Sequence, residues 1–221
     1  MQSQPLIVRY RGTEPYDITW TAMRAFTDAR DANTPDELWL VEHPPVYTMG
    51  YRGRDGETKN IRGIPVVYSD RGGDITYHGP GQIVVYTLLD LSRLTLGIKA
   101  LVRTLEQTVI DLLAEHDIAA AQREGAPGVY VDGRKIAALG LRVREKRSYH
   151  GLSFNVRMDL DPFRHIDPCG YAGLEVTQTS ELGLTLTPLA AGEMLARRLA
   201  ATLGYNELSM NTTPSGQASH G

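Results

Sequence analysis

At 221 residues the chain has the length of one domain or two small ones, and 23 Lys and Arg against 26 Asp and Glu leave a net charge of −3. That balance offers no basic excess for nucleic acid and no polybasic run for an anionic membrane, while 42% hydrophobic and 22% charged residues exclude wholesale disorder and a fibrous protein. The lone cysteine, Cys169, excludes an intramolecular disulfide and a Cys-based zinc cluster, and MQSQPLIVRYRG lacks an apolar core of signal-peptide length, so the expectation is a cytoplasmic enzyme or binding protein.

In chain order, residues 6–9 read as a short strand. Residues 15–31 read as a helix, with Ile18, Ala22, Phe26 and Ala29 recurring at helical spacing. Residues 38–41 and 46–49 are strand-like on either side of the turn His43-Pro44-Pro45, 50–63 is a polar glycine-rich loop, and 64–68 and 82–91 are apolar strands. Residues 97–116 form the clearest helix, with Ile98, Leu101, Val102, Leu105, Val109, Leu112 and Leu113 on one stripe and Arg103, Glu106, Asp111 and Glu115 off it. Residues 129–131 and 134–143 make a hairpin about Asp132-Gly133, a pair suited to the two positive φ values of a type I′ turn. A strand at 149–156 follows. Residues 187–203 read as a helix with Thr187 as N-cap, Pro188 at the first position and Gly204 past the end. Residues 209–221 are small and polar and read as a disordered tail, leaving 1–208 as the folded domain. Strands outnumber helices and the long helices stand between groups of strands, so the expected class is α+β: an α/β-type mixed sheet flanked by helices.

Three places carry potential chemistry. The segment RGGDITYHGPGQ at 71–82 holds four glycines and a proline between two strands. It reads either as a ligand cradle, where missing side chains let backbone approach closely, or as an irregular connection. It is neither a Walker A loop nor a dinucleotide fingerprint. Cys169 stands between Pro168 and Gly170, outside any apolar stripe, and reads either as a small packed residue or as a loop-presented thiol. Lys135 opens the apolar strand IAALGL; it is either a surface charge or a partly desolvated amine suited to proton transfer. The six histidines form no helical ligand pair, so no metal is expected, and no G-x-S-x-G elbow points to a serine hydrolase.

RGGDITYHGPGQ at 71–82, GVYVDGRKIAALGLRV at 128–143, YHGLSFNV at 149–156 and DPCGYAG at 167–173 together resemble the octanoyl-[acyl carrier protein]:protein octanoyltransferases of lipoate biosynthesis. The resemblance spans about residues 5–208; Asp167 stands where that family often has Asn. It implies a single domain with the fold of biotin and lipoate protein ligases. It also implies transfer of an octanoyl group from acyl carrier protein to a lysine of a lipoyl domain, in 2-oxoacid dehydrogenase E2 or the glycine cleavage H protein. No cofactor is implied beyond the phosphopantetheine that the carrier brings. By the resemblance, Cys169 is the acyl-thioester nucleophile and Lys135 its partner. The acyl pocket is lined by Arg71, Gly72, Gly73, Asp74, Ile75, Thr76, Tyr77 and His78, by Ala138, Leu139 and Gly140, and by Gly151, Leu152 and Ser153. The rivals are an ATP-dependent lipoate or biotin ligase, a cysteine thioesterase and a silent binder of acylated carrier protein. The chain is expected to be a monomer, with Arg52, Arg54 and Lys59, or Arg142, Arg144, Lys146 and Arg147, as basic clusters for acidic partners.

Overall fold

A computed structural model describes residues 4–53, 58–166 and 173–211. Its strands are β1 (Leu6–Thr13), β2 (Asp36–Glu42), β3 (Val46–Met49), β4 (Asn60–Ile61), β5 (Ile64–Tyr68), β6 (Ile75–His78), β7 (Gln82–Leu88), β8 (Ala121–Gln122), β9 (Gly128–Val131), β10 (Arg134–Arg144), β11 (Arg147–Asn155) and β12 (Leu208–Asn211). Its α-helices are α1 (Tyr16–Ala29), α2 (Ile98–Ala114) and α3 (Pro188–Thr202).

The main sheet has eight strands in the order β12-β1-β2-β7-β11-β10-β9-β8. β1 pairs parallel with both β12 and β2, and the remaining neighbours pair antiparallel, so the sheet is mixed, as expected from the sequence. A smaller sheet orders β4-β5-β3-β6. On one face of the main sheet, Leu38, Leu40, Ile83, Val85, Leu152 and Phe154 meet Leu101, Leu105 and Leu112 of α2 and Leu195 and Leu199 of α3. On the other face, Trp39, Val84, Tyr86, Leu88 and Tyr149 meet Tyr16 and Met23 of α1 and Val46 of β3. Covered on both sides, β7 is buried at all of its positions and reads as a continuous apolar run.

Local chemistry explains the ends of these elements. Asp132 and Gly133 have φ of 49° and 78°, both left-handed, as a type I′ turn requires. Glu145 and Lys146, at 50° and 61°, make the corresponding turn between β10 and β11 with no glycine to announce it. The Thr187 hydroxyl accepts from the Ala190 N–H at 3.2 Å, and Pro188 occupies the first turn of α3.

Four expectations are corrected. The helix at α1 buries Tyr16, Thr19, Met23 and Thr27, while Ile18 is 53% exposed and Ala29 is also exposed, so the stripe is rotated from the one that apolar residues suggest. Thr19 packs inward because its hydroxyl donates to Glu14 at 2.5 Å, whereas the buried Thr27 hydroxyl finds no hydrogen-bond partner among the described residues. Glu106 of α2 is buried, not solvated, because its carboxylate accepts the Gly128 N–H at 2.9 Å. Residues 75–78, read as part of an irregular segment, are the strand β6, paired antiparallel with β3. The first three residues of the expected tail, 209–211, belong to β12, where Leu208 and Met210 turn alternately onto the core beside β1; residues 212–221 lie outside the described residues.

Candidate active site

A cavity of about 50 Å³ lies between the two sheets. Its floor is the face of β7, β10 and β11 turned away from α2 and α3. There the pairing register sets Ala138 beside Ser153 beside Val84, and Gly140 beside Gly151 beside Tyr86. Its roof is the segment from Arg71 to His78. Small residues on the floor let the roof come close: a Cβ on Gly140 would stand 2.9 Å from the Gly72 carbonyl oxygen and 3.1 Å from Arg71 Cδ. The Gly72 N–H donates to the Leu141 carbonyl at 2.9 Å, stitching roof to floor at the same point.

Of the residues singled out in the sequence, Arg71, Gly73, Asp74, Ile75, Thr76, His78, Ala138, Leu139, Gly140, Gly151, Leu152, Ser153 and Lys135 line this cavity. Two do not. Gly72 lines a neighbouring cleft instead. Tyr77 turns to the opposite side of β6 and packs with Tyr47 and Phe163 at 5.4 and 5.5 Å between ring centroids; the period-2 alternation of a strand sends it away from the side that Thr76 and His78 face. Cys169, with the whole of 167–172, lies outside the described residues.

Lys135 is buried, 3% exposed, although it is a lysine beside a hairpin turn. Its ammonium donates to the Pro127 carbonyl at 3.3 Å and sits 5.3 Å from the Tyr130 ring centre. Gly128 makes the space: a Cβ there would stand 3.0 Å from Lys135 Cε and 2.7 Å from the Ala137 carbonyl oxygen. The chain that emerges after residue 172 is pinned to the same lysine. The Lys135 N–H donates to the Glu175 carbonyl and the Thr177 N–H to the Lys135 carbonyl, each at 2.9 Å.

His78 has both ring nitrogens engaged. Gln82 donates through Nε2 to the Asn155 carboxamide oxygen at 2.9 Å and to the Tyr77 carbonyl at 3.3 Å, so its Oε1, 2.7 Å from His78 Nδ1, is the acceptor. Nδ1 therefore carries the proton, and Nε2 accepts from Thr48 Oγ1 at 3.3 Å, since that hydroxyl is itself an acceptor for Arg71 Nε. Burial, reinforced by His43, pushes His78 down to about 3, so it is neutral at pH 7. Asn155 continues the line by donating to the Thr177 carbonyl at 3.0 Å. The chain of bonds from Thr48 thus ends on the backbone that flanks Lys135. Arg71, read from the sequence as a ligand contact, bonds the Thr48 hydroxyl and carbonyl and the Gly72 and Asp74 carbonyls, which folds the roof around its own guanidinium.

Tyr16, Tyr86, His150, Asn155, Phe163 and Val176, none of them a site candidate in the sequence, also line the cavity. His43 bonds the Glu14 carbonyl and the Tyr86 hydroxyl, both at 2.6 Å, and burial pushes it down to about 4. His150 Nε2 lies 2.9 Å from Asp70 Oδ1, and burial lowers its pKa. Asp70 also accepts from the Tyr149 hydroxyl and the Trp20 indole; burial alone would raise its carboxyl, but these hydrogen bonds hold it below the usual range. His150 has φ of 62° in mid-strand, a conformation that costs a non-glycine residue energy and concentrates at functional sites. It stacks on Tyr149 at 5.0 Å on the cavity side. Only the YHG pattern before small residues hinted at it.

Comparison with known proteins agrees with this geometry. Residues 15–200 match the family model described as lipoyl protein ligase A/B catalytic domain. An octanoyltransferase of Shewanella sp. (strain ANA-3) is 52% identical over 208 residues, covering 94% of this chain and 96% of that protein. One from Dechloromonas aromatica (strain RCB) is 56% identical over 199 residues, covering 90% and 97%. Among solved structures, a bipartite lipoate protein ligase of Thermoplasma acidophilum superposes with a TM-score of 0.71 at 15% identity, covering 96% of this chain and 88% of that one. The biotin protein ligase of Aquifex aeolicus in complex with biotin and ATP gives 0.54 at 12% identity, covering 90% and 70%. At those identities the structural likeness speaks to the fold alone. The fold is the one shared by lipoate and biotin protein ligases, and the matched family model makes the chain a catalytic domain of the lipoyl protein ligase A/B kind. The chain belongs to the lipoyl protein ligase A/B family, in its octanoyltransferase branch, and is an acyltransferase.

Proposed function

We propose that this chain takes an octanoyl group from the phosphopantetheine thiol of an acyl carrier protein and delivers it to the ε-amine of a lysine on a lipoyl domain. The acceptors are those of 2-oxoacid dehydrogenase E2 and of the glycine cleavage H protein. The observation that carries the reading is the buried Lys135 ammonium at one wall of an apolar-floored cavity, in a chain whose relatives at 52–56% identity are octanoyltransferases.

In the first half-reaction the Cys169 thiolate attacks the thioester carbonyl. The new C–S bond forms, the bond to phosphopantetheine breaks, and the departing thiolate takes a proton from the Lys135 ammonium. Thiolate replaces thiolate, so the acyl group keeps its activation and no ATP is consumed. In the second half the acceptor amine attacks the acyl-enzyme, loses a proton to Lys135, and expels the Cys169 thiolate as the amide forms. A neighbouring ammonium favours the thiolate in the resting enzyme. Support for pairing the two residues comes from 175–177, which follow Cys169 closely in sequence and run alongside Lys135. His78 is the weaker base, because both of its nitrogens are engaged within the fold.

No cofactor or metal enters these steps, and we assign the reaction to the cytoplasm, where acyl carrier protein and lipoyl domains meet. No helix among the described residues is long and apolar enough to cross a membrane.

Intact mass measurement after incubation with octanoyl-acyl carrier protein, in buffer free of ATP, tests the reading. The wild type should gain one octanoyl group, lose it on addition of a lipoyl domain, and pass it to that domain. Cys169→Ala should gain none. Transfer by Cys169→Ala near the wild-type rate would overturn the covalent route, and a strict need for ATP would return the chain to the ligases.

A further inference from the structure

A second cleft, about 790 Å³, opens on the α2 side of β10. We propose that it seats the phosphopantetheine arm of the acyl donor, with Arg52, Lys99, Arg103 and Arg123 at its rim receiving the phosphodiester; the proposal rests on the transfer reading above. Continuity with the acyl cavity is the first argument. Gly73, Asp74, Leu139 and Gly140 line both spaces. Pro127 lines the second cleft, and its carbonyl accepts from the Lys135 ammonium. A chain lying in the cleft therefore reaches Lys135 at Pro127 and the acyl cavity at Gly140, which is the path of a thioester whose acyl half occupies one space and whose thiol half occupies the other.

Charge and shape are the second argument. Four cations line the cleft with three carboxylates. Asp74 accepts the Ile75 N–H at 2.8 Å and Glu106 the Gly128 N–H at 2.9 Å, which turns both toward backbone, and the lining keeps an excess of one positive charge. Ile98, 44% exposed, and Val102 add an apolar wall. The arm offers matching chemistry in one molecule: an anionic phosphodiester, a branched dimethyl unit, then two amides before the sulfur. An acceptor lysine has an apolar stem and no anion, so it calls for neither this volume nor these cations. Two members of the basic cluster that follows the hairpin are engaged elsewhere: Arg144 pairs with Asp28 at 2.8 Å and Arg147 donates to the Thr27 carbonyl.

The test is the double variant Lys99→Glu/Arg103→Glu, both exposed on the first turns of α2. Steady-state acylation is measured at low salt with octanoyl-acyl carrier protein and with octanoyl-pantetheine, which lacks the phosphate. The ratio of the two KM values should rise about tenfold and shrink as salt is added. Transfer from pre-octanoylated enzyme to a lipoyl domain is followed separately, and the loss should fall on the first half-reaction. An unchanged ratio overturns the proposal. So does a slowed second half with an unchanged donor KM, which would give the cleft to the acceptor. If the wild type itself forms no acyl-enzyme, the transfer reading fails and takes this assignment with it; if it does and the ratio stands still, the cleft alone is wrong.

Discussion

The two faces of the main sheet are built from alternate residues of the same strands, and they follow opposite rules. Facing α2 and α3, β11 presents Leu152 and Phe154 and β7 presents Ile83 and Val85, all buried in the main hydrophobic core. Facing the other way, β11 presents Gly151 and Ser153 and β10 presents Ala138 and Gly140. The cavity is thus made by withholding volume on one face while the other face holds the sheet rigid. The polar groups divide the same way. Buried His43, His78 and His150 all stand on the cavity side, and α2 and α3 meet the sheet mainly through aliphatic contacts, with the Glu106 carboxylate on the Gly128 N–H as the exception. Stability is concentrated on one face and chemistry on the other, so substitutions on the two faces should separate activity from stability.

The largest effect should come from the ammonium. Lys135→Ala is expected to lower single-turnover acylation by about 10²–10⁴-fold, the range of general acid–base catalysis. His78→Ala removes a hydrogen-bonded buried group, so it should cost stability, roughly 1–3 kcal/mol, and retain measurable acylation. Intact mass against time on both variants decides the matter. Normal acylation by Lys135→Ala together with a silent His78→Ala would reverse the two roles and break the division drawn above.

A matched pair of glycines sharpens it at smaller amplitude. Gly128→Ala would push its Cβ against the Ala137 carbonyl and Lys135 Cε, at a backbone φ of 144° that favours glycine. Gly192→Ala, on α3, would meet Ile83 Cγ1 at 2.9 Å and Leu40 Cδ1 at 3.3 Å, both side-chain atoms on the aliphatic face. Overpacking at either site costs about 1–3 kcal/mol, partly offset at Gly192 by alanine's better helix propensity, ~1 kcal/mol. Melting temperature should fall in both, more in Gly128→Ala. Acylation should drop about tenfold only in Gly128→Ala, because only there is the lysine displaced, and a 1 Å misplacement is costly in catalysis. Full acylation by a folded Gly128→Ala would show that the seat of Lys135 is slack.

How much of this was legible in the sequence depended on whether the signal was local. The Asp132-Gly133 turn and the Thr187 cap are decided by one or two residues, and both stand as read. The motif segments at 71–78, 138–140 and 151–153 do converge on one cavity, but their convergence is a matter of sheet register, which no single segment contains. The glycines on either side of 75–78 conceal a strand in the sequence, and with it the alternation that turns Tyr77 away from the cavity. Glu106 was misplaced because a buried carboxylate becomes tolerable only with a donor, and that donor, the Gly128 N–H, is distant in sequence. The turn at Glu145-Lys146 and the left-handed His150 carry no glycine, so composition could not flag them. Cys169 was legible only through its motif and lies outside the described residues.

Acid should separate the two faces most gently and without a substitution. His43 and His78 are held at about 4 and about 3 in the fold, and His150 is also lowered, each chiefly by burial. A histidine whose folded pKa lies below its unfolded value of about 6.5 binds fewer protons folded than unfolded in the interval between them. Stability therefore falls as pH drops from about 6.5 toward 4, and the loss originates on the cavity face. Asp70 acts in the same direction at lower pH: its folded carboxyl titrates below the unfolded value, so the stability it contributes is present above about 4 and is lost beneath it. The only two tryptophans, Trp20 and Trp39, pack in the cluster on that face. Tryptophan fluorescence should accordingly change at higher pH than the far-ultraviolet helix signal, to which α2 and α3 on the opposite face contribute more residues than α1. Melting temperature should decline by several degrees between pH 7 and pH 5. Coincident fluorescence and helix transitions, with no decline in that interval, would mean that the buried histidines are protonated without cost and that the two faces unfold as one.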